Sequence, residues 1–163
     1  MRAGGGVADD RLRKLVLYEP PLGFVGGSPE VLERLEALLA GGRRDEVLTL
    51  FLSDVARQPP EAIELMRSLP SWEARLATAH TIPREERVNR EYRFDPGRFR
   101  KLEVPTLFLL GGDSAEPFKQ ASDAVAGALP NCEVVVLPGQ RHAAMDTGTE
   151  LFLREVFAFL DAA

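Results

Sequence analysis

Three short apolar runs stand out along the chain: KLVLY at 14–18, TLFLL at 106–110 and EVVVL at 133–137. Each is continuous rather than alternating, the pattern of a parallel strand covered on both faces. Elsewhere the apolar positions recur at helical spacing. PEVLERLEALLA follows Ser28, a candidate N-cap, with Pro29 at the first helical position and Gly41-Gly42 as the stop. RDEVLTLFLSDVAR ends before Pro59-Pro60, and PEAIELMRSL ends at Pro70. Ser71 is the expected cap of SWEARLATAH, Pro83 opens REERVNREY, and Asp95-Pro96 begins a last turn, DPGRFRKL. After the second apolar run, EPFKQASDAVAGALP reads as a crossover helix. After the third, TELFLREVFAFLDAA reads as a terminal helix with Leu151, Phe152, Val156, Phe159 and Leu160 on one face. Strand, long helical insertion, strand, helix, strand, helix is the order of half an α/β sheet.

A chain of 163 residues suits one domain. Residues 11–22 and 101–163 are expected to form its sheet and core, and 23–100 a helical insertion. Apolar content of 45% and charged content of 28% are those of a globular protein. The net charge of −5 weighs against a nucleic-acid partner. Arg and Glu alternate along PREERVNREYR, which marks a solvated helix face. The opening AGGGVADD reads as flexible, with no apolar stretch like that of a signal peptide. No apolar run approaches the roughly 20 residues needed to span a bilayer. The single cysteine, Cys132, excludes an internal disulfide framework and suits a reducing compartment, so a cytoplasmic location is expected.

Candidate chemistry concentrates near the end. VVVLPGQRHAAMDT runs from a strand through a turn to an exposed His142, the kind of residue that takes a proton from a nucleophilic serine. That serine would sit on a strand-to-helix turn of the form G-x-S-x-G, and this sequence contains none. Cys132 precedes its strand and so lies at the wrong edge of the sheet for an active site. Ser28 and Ser71 are explained as helix caps, and His80 as a helix C-terminal residue favoured by the dipole. Two histidines and one cysteine far apart give no metal-ligand spacing. GGGVADD lacks the lysine and the preceding strand of a phosphate loop, so no cofactor is expected.

Taken together, RLRKLVLYEPP, the helical block, VPTLFLLGGDSAEPF and ALPNCEVVVLPGQRHAAM resemble the C-terminal half of an α/β-hydrolase across residues 11–162. The resemblance implies a partial α/β-hydrolase fold: about three parallel strands with flanking helices and a helical lid at 23–100. It makes His142 the general base. The family commonly places the acid three residues after the glycine that ends its seventh strand, and counting from Gly111 that position is Ser114. Asp113 comes one residue early. A variant of the family places the acid after the sixth strand, where LYEPP puts Glu19. Glu19 and Asp113 therefore both stand as partners for His142, with Ser114 and the lid residue Trp72 as candidate substrate contacts.

The function implied is a hydrolase-like action on, or binding of, an apolar ester or acyl small molecule, with the serine supplied by a separate upstream polypeptide or lost where the reading frame was cut. The alternatives are a truncated, free-standing relative that binds a small molecule or catalyses a non-hydrolytic proton transfer or cyclisation as a homodimer, and a non-catalytic interaction module. In the family's strand order the 14–20 strand has a neighbour on each side, and the one preceding it is absent here. That edge is expected to recruit a second copy or a separate N-terminal half.

Overall fold

A computed structural model describes residues 12–162. The opening AGGGVADD lies outside the described residues. The three apolar runs become strands β1 (Leu15–Tyr18), β2 (Thr106–Gly111) and β3 (Cys132–Leu137). They pair in parallel in the order β1-β2-β3, with Tyr18 opposite Leu109 and Gly111 opposite Leu137. Two compact units separate at Pro20/Pro21 and Arg93/Phe94. The sheet unit takes the described residues up to Pro20 and those from Phe94 onward; the helical unit is Pro21–Arg93.

In the sheet unit, β2 is the central strand and the most buried. Leu107, Phe108 and Leu109 retain at most 1% of their exposure. Side chains alternate across a strand, so Leu107 and Leu109 share one face, where they meet Leu137 and Ala144. The terminal helix α8 (Thr149–Asp161) closes that face with Leu151, Phe152, Val156 and Phe159. The crossover helix α6 (Glu116–Ala126) packs on β2 and β3 and buries Phe118, Ala121 and Val125. Lys14, just before β1, donates its ammonium to the carbonyls of Phe159 (2.9 Å) and Leu160 (3.0 Å). A cation is favourable there because the last carbonyls of a helix are unpaired and carry its negative dipole end. Leu160 departs from expectation. It is 45% exposed, and with Leu153 and Phe157 it forms a second apolar stripe turned away from the sheet. With 3.6 residues per turn, a run this rich in Leu and Phe covers more than one face.

The helical unit contains α1 (Pro29–Ala40), α2 (Arg44–Leu50), α3 (Pro60–Ser68), α4 (Ser71–Thr78) and α5 (Ile82–Glu91). Ser28 caps α1 by accepting the Val31 N–H. Its core is Leu35, Val47, Leu50 and Ala79, with Val31, Phe51 and Ile82 packed around them. Two local features differ from the sequence reading. RDEVLTLFLSDVAR does not continue as a regular α-helix: Phe51–Val55 widens into a π-helix, closed by Ala56 N–H to the Phe51 carbonyl at 2.9 Å. Nor is Ser71 a cap. Pro70 takes helical angles (φ −57°, ψ −25°) and stands at the N-cap, so Ser71 is already the first helical residue. Proline's fixed φ favours this entry. Helix α5 secures the loop before α1: Glu86 accepts the Gly27 N–H at 2.8 Å and Asn89 accepts that of Gly23 at 3.0 Å. Burial pushes the Glu86 carboxyl above its ordinary range, against the Gly27 N–H, which lowers it.

The two apolar faces of α8 and β2 predict different sensitivities. Leu107→Ala, at 1% exposure, should cost about 2–5 kcal/mol because it leaves a cavity in a packed layer. Leu160→Ala, nearly half exposed, should cost less than about 1 kcal/mol. Urea unfolding of both variants measures the contrast, and equal losses would contradict the packing described.

Candidate active site

The carboxyl ends of parallel strands are where α/β sheets place their sites, and here all three strands deliver a chemical group to that edge. β1 ends in Tyr18 and is followed by Glu19. β2 ends in Gly111. β3 runs into Pro138-Gly139-Gln140-Arg141-His142, where Gly139 takes a positive φ of 70° that a tight turn requires. The loops are laced together through backbone bonds: Gly112 N–H to the Leu137 carbonyl and Asp113 N–H to that of Gln140, both at 2.9 Å.

Glu19 has no exposed surface. A carboxylate removed from water needs donors for its oxygens, and both find one. Oε1 accepts the Gly111 N–H at 2.7 Å, and Oε2 lies 2.9 Å from His142 Nδ1. Glu19 also sits at φ +39°, in the left-handed region. For a residue with a Cβ, that conformation costs of order 1–3 kcal/mol and persists only where its surroundings enforce it. Gly111 shows why the approach is so close. A Cβ there would fall 2.5 Å from Ser114 Oγ and 2.6 Å from the Gln140 carbonyl oxygen. Only glycine lets β2 bring its N–H to the carboxylate.

The imidazole of His142 is 30% exposed. With Glu19 accepting at Nδ1, the neutral ring carries its proton there and leaves Nε2 as a lone-pair acceptor. Phe118 lies nearly parallel to it, with centroids 4.3 Å apart and 22° between planes, and Tyr18 does the same at 5.7 Å and 17°. The arrangement is a partly accessible imidazole with a fully buried carboxylate behind it.

Asp113 and Ser114 follow Gly111 at the same strand end, and Trp72 and His80 lie in the helical unit. Asp113 is exposed, and the carboxylate at His142 is that of Glu19. Ser114 is 4% exposed, and its hydroxyl has no hydrogen-bond partner. Trp72 belongs to the helical unit, 5% exposed. Its indole N–H donates to Asp45 at 3.2 Å and the Arg67 guanidinium stands 4.6 Å over its ring. His80 is exposed, with Nδ1 3.1 Å from the Ala77 carbonyl. Burial pushes the Cys132 thiol up. Among the described residues, no group of three or more His, Cys, Asp or Glu is placed to hold a metal, and no helix is long and apolar enough to cross a membrane. The sequence reading missed Tyr18, Phe118 and the Gly111 N–H. Tyr18 was next to a candidate, but a strand's alternation gives no direction once Glu19 leaves the extended region.

The helical unit has openings of its own. A cleft of about 710 Å³ is lined by paired charges, among them Arg43 with Glu46 and Arg67 with Asp45. A smaller notch of about 360 Å³ is mostly apolar, formed by Pro21, Leu22, Val88 and Tyr92 with the stems of their polar neighbours.

No family model matches the chain, and no curated protein matches it by sequence. Solved structures do. The chain is similar to an α/β-hydrolase from Sphaerobacter thermophilus at 30% identity and a TM-score of 0.65, over 86% of this chain and 58% of that one. A 2-hydroxy-6-oxo-6-phenylhexa-2,4-dienoate hydrolase from Rhodococcus is similar at 19% identity and a TM-score of 0.60, over 95% and 57%. A thermophilic esterase from Thermogutta terrifontis is similar at 21% identity and a TM-score of 0.56, over 93% and 56%. The chain thus spans a little more than half the length of these structures. Three parallel strands with flanking helices, ending on a shared carboxyl edge, are in this chain a partial α/β-hydrolase fold.

Proposed function

We propose that this chain is the acid–base half of a serine-type hydrolase for apolar ester or acyl small molecules. The observation that carries the reading is the Glu19–His142 pair at 2.9 Å, with the carboxylate fully buried and the imidazole accessible. Similarity to an esterase and to a dienoate hydrolase supports the substrate class. In this reading Nε2 of His142 takes the proton of an attacking hydroxyl and later passes it to the leaving group. Glu19 keeps the ring in the Nδ1–H tautomer and stabilises the imidazolium that forms between those steps. The nucleophile is contributed by polypeptide outside this sequence, which holds no G-x-S-x-G turn.

A second reading, a homodimer, is favoured by one flank of the sheet unit. Among the described residues β1 pairs with β2 alone, leaving its other side unpaired. Helix α8 lies along the same strand, with Phe152 against Tyr18 and the Lys14 ammonium on its last carbonyls, and exposes Leu153, Phe157 and Leu160. Unpaired strand edges and contiguous apolar patches invite a partner.

Three outcomes test these readings. The purified chain should give no burst with a p-nitrophenyl ester, because loss of a triad nucleophile removes several orders of magnitude of rate. A burst abolished by a serine-directed inhibitor would show a nucleophile within this chain. Ser114→Ala should be neutral or stabilising by up to about 1 kcal/mol, since it deletes a buried hydroxyl that bonds nothing. A clear loss of stability in thermal melts would assign Ser114 a partner. Sedimentation at low micromolar concentration should find an assembly, and a well-behaved monomer would rule out the dimer.

A further inference from the structure

We propose that Tyr18 is a positioning residue for His142: its hydroxyl ties together the two ends of the turn that carries the imidazole and thereby aims Nε2. The inference rests on the reading of Glu19 and His142 as the working pair, and deepens it.

A single hydrogen bond, from Nδ1 to Glu19, holds one atom of the ring. Stacked on Phe118, the ring can still turn in its own plane, and its loop can shift. General-base catalysis needs Nε2 held within a fraction of an ångström, so a second constraint is required. Tyr18 supplies it through the backbone on either side of His142. The phenol O–H donates to the Arg141 carbonyl, and the same oxygen accepts the Ala144 N–H at 2.9 Å. Ala144 N–H also reaches the Arg141 carbonyl at 3.1 Å. Residues 141 and 144 are thereby tied through one oxygen, with His142 between them.

The tyrosine is itself immobile. Its backbone is in β1, paired with Leu109. Its ring meets the edge of Phe152 on α8 at 5.3 Å and 74°, and lies nearly parallel to the imidazole at 5.7 Å. A tyrosine has only two side-chain torsions, so few contacts suffice to fix it. Burial pushes the phenol above its ordinary range; the group therefore stays protonated, and a donor, at neutral pH. Phenylalanine would fill the same space but tie nothing. The hydroxyl is what distinguishes a positioning role from packing.

The test is NMR of the full chain with ¹⁵N-labelled histidine, compared with Tyr18→Phe and with Val156→Ala, which loosens the same layer without touching the tyrosine. In the parent protein the Ala144 amide should be protected from exchange, and His142 should show one tautomer with a downfield Nδ1 proton. Tyr18→Phe should speed exchange of that proton by about tenfold, the loss expected from one or two hydrogen bonds. Val156→Ala should lower the melting temperature yet leave the His142 signals unchanged. An unprotected Ala144 amide in the parent overturns the proposal whether or not any variant folds. So does an unchanged Nδ1 proton in Tyr18→Phe, provided Glu19→Gln alters it. If Glu19→Gln leaves that proton unchanged too, the acid–base reading itself fails.

Discussion

A carboxylate with no exposed surface has to find its donors inside the protein, and the sheet unit is organised around that requirement at Glu19. Neither donor is local in sequence. One is the backbone N–H of Gly111, 92 residues away, and the other is His142, 123 residues away. Each comes from the carboxyl end of a different strand. The parallel arrangement is what makes this possible, because it puts all three strand ends on one edge. An antiparallel β1 would have carried Glu19 to the opposite edge.

The same requirement explains the local departures from easy geometry. Glu19 is held at φ +39° although it has a side chain, and Gly111 is held where any Cβ would collide with Ser114 and Gln140. The strain at Glu19 persists because neighbouring structure leaves no alternative. Here the neighbours are the β2 core, in which Leu107, Phe108 and Leu109 are essentially unexposed, and the layer formed by α8. Removing the carboxylate's charge while keeping its shape would weaken both hydrogen bonds, whereas glycine at this position would also relieve the strain. The two changes therefore probe different terms.

The helical unit follows a separate logic. Its apolar core is centred on Leu35 and Val47, while polar side chains secure its loops: the buried Glu86 on Gly27, and the half-buried Asn89 on Gly23. Trp72 is part of the same pattern, its N–H occupied by Asp45 and its face by Arg67. The π-helical turn at Phe51–Val55 buries Leu52 and Val55 just before the Pro59-Pro60 break. Such turns widen a helix by one residue and often lie near functional sites; here Ser53 and Asp54 bring it to the wall of the charged cleft.

How much of this was legible beforehand follows from the range of each interaction. Continuous apolar runs bounded by turn residues located all three strands to within a residue, because burial on both faces leaves that pattern in the sequence itself. Ser28, Pro29 and the Gly41 stop marked α1 for the same reason: caps act on backbone groups three or four residues away. The α/β class followed from the order of these elements, and the partial hydrolase fold from the family resemblance that their sequences carry. The sequence could not choose between Glu19 and Asp113, since both sit just past a strand and the deciding contact spans 123 residues. It could not show that Tyr18 and Phe118 flank His142, because a left-handed backbone at Glu19 ends the alternation that would have given a direction. Nor could helical periodicity separate Leu160 from Phe159, which are neighbours on the chain but differ in whether the sheet lies beneath them. Local backbone chemistry and burial are written in the sequence; long-range donors and the packing side of a side chain are decided only when the chain closes on itself.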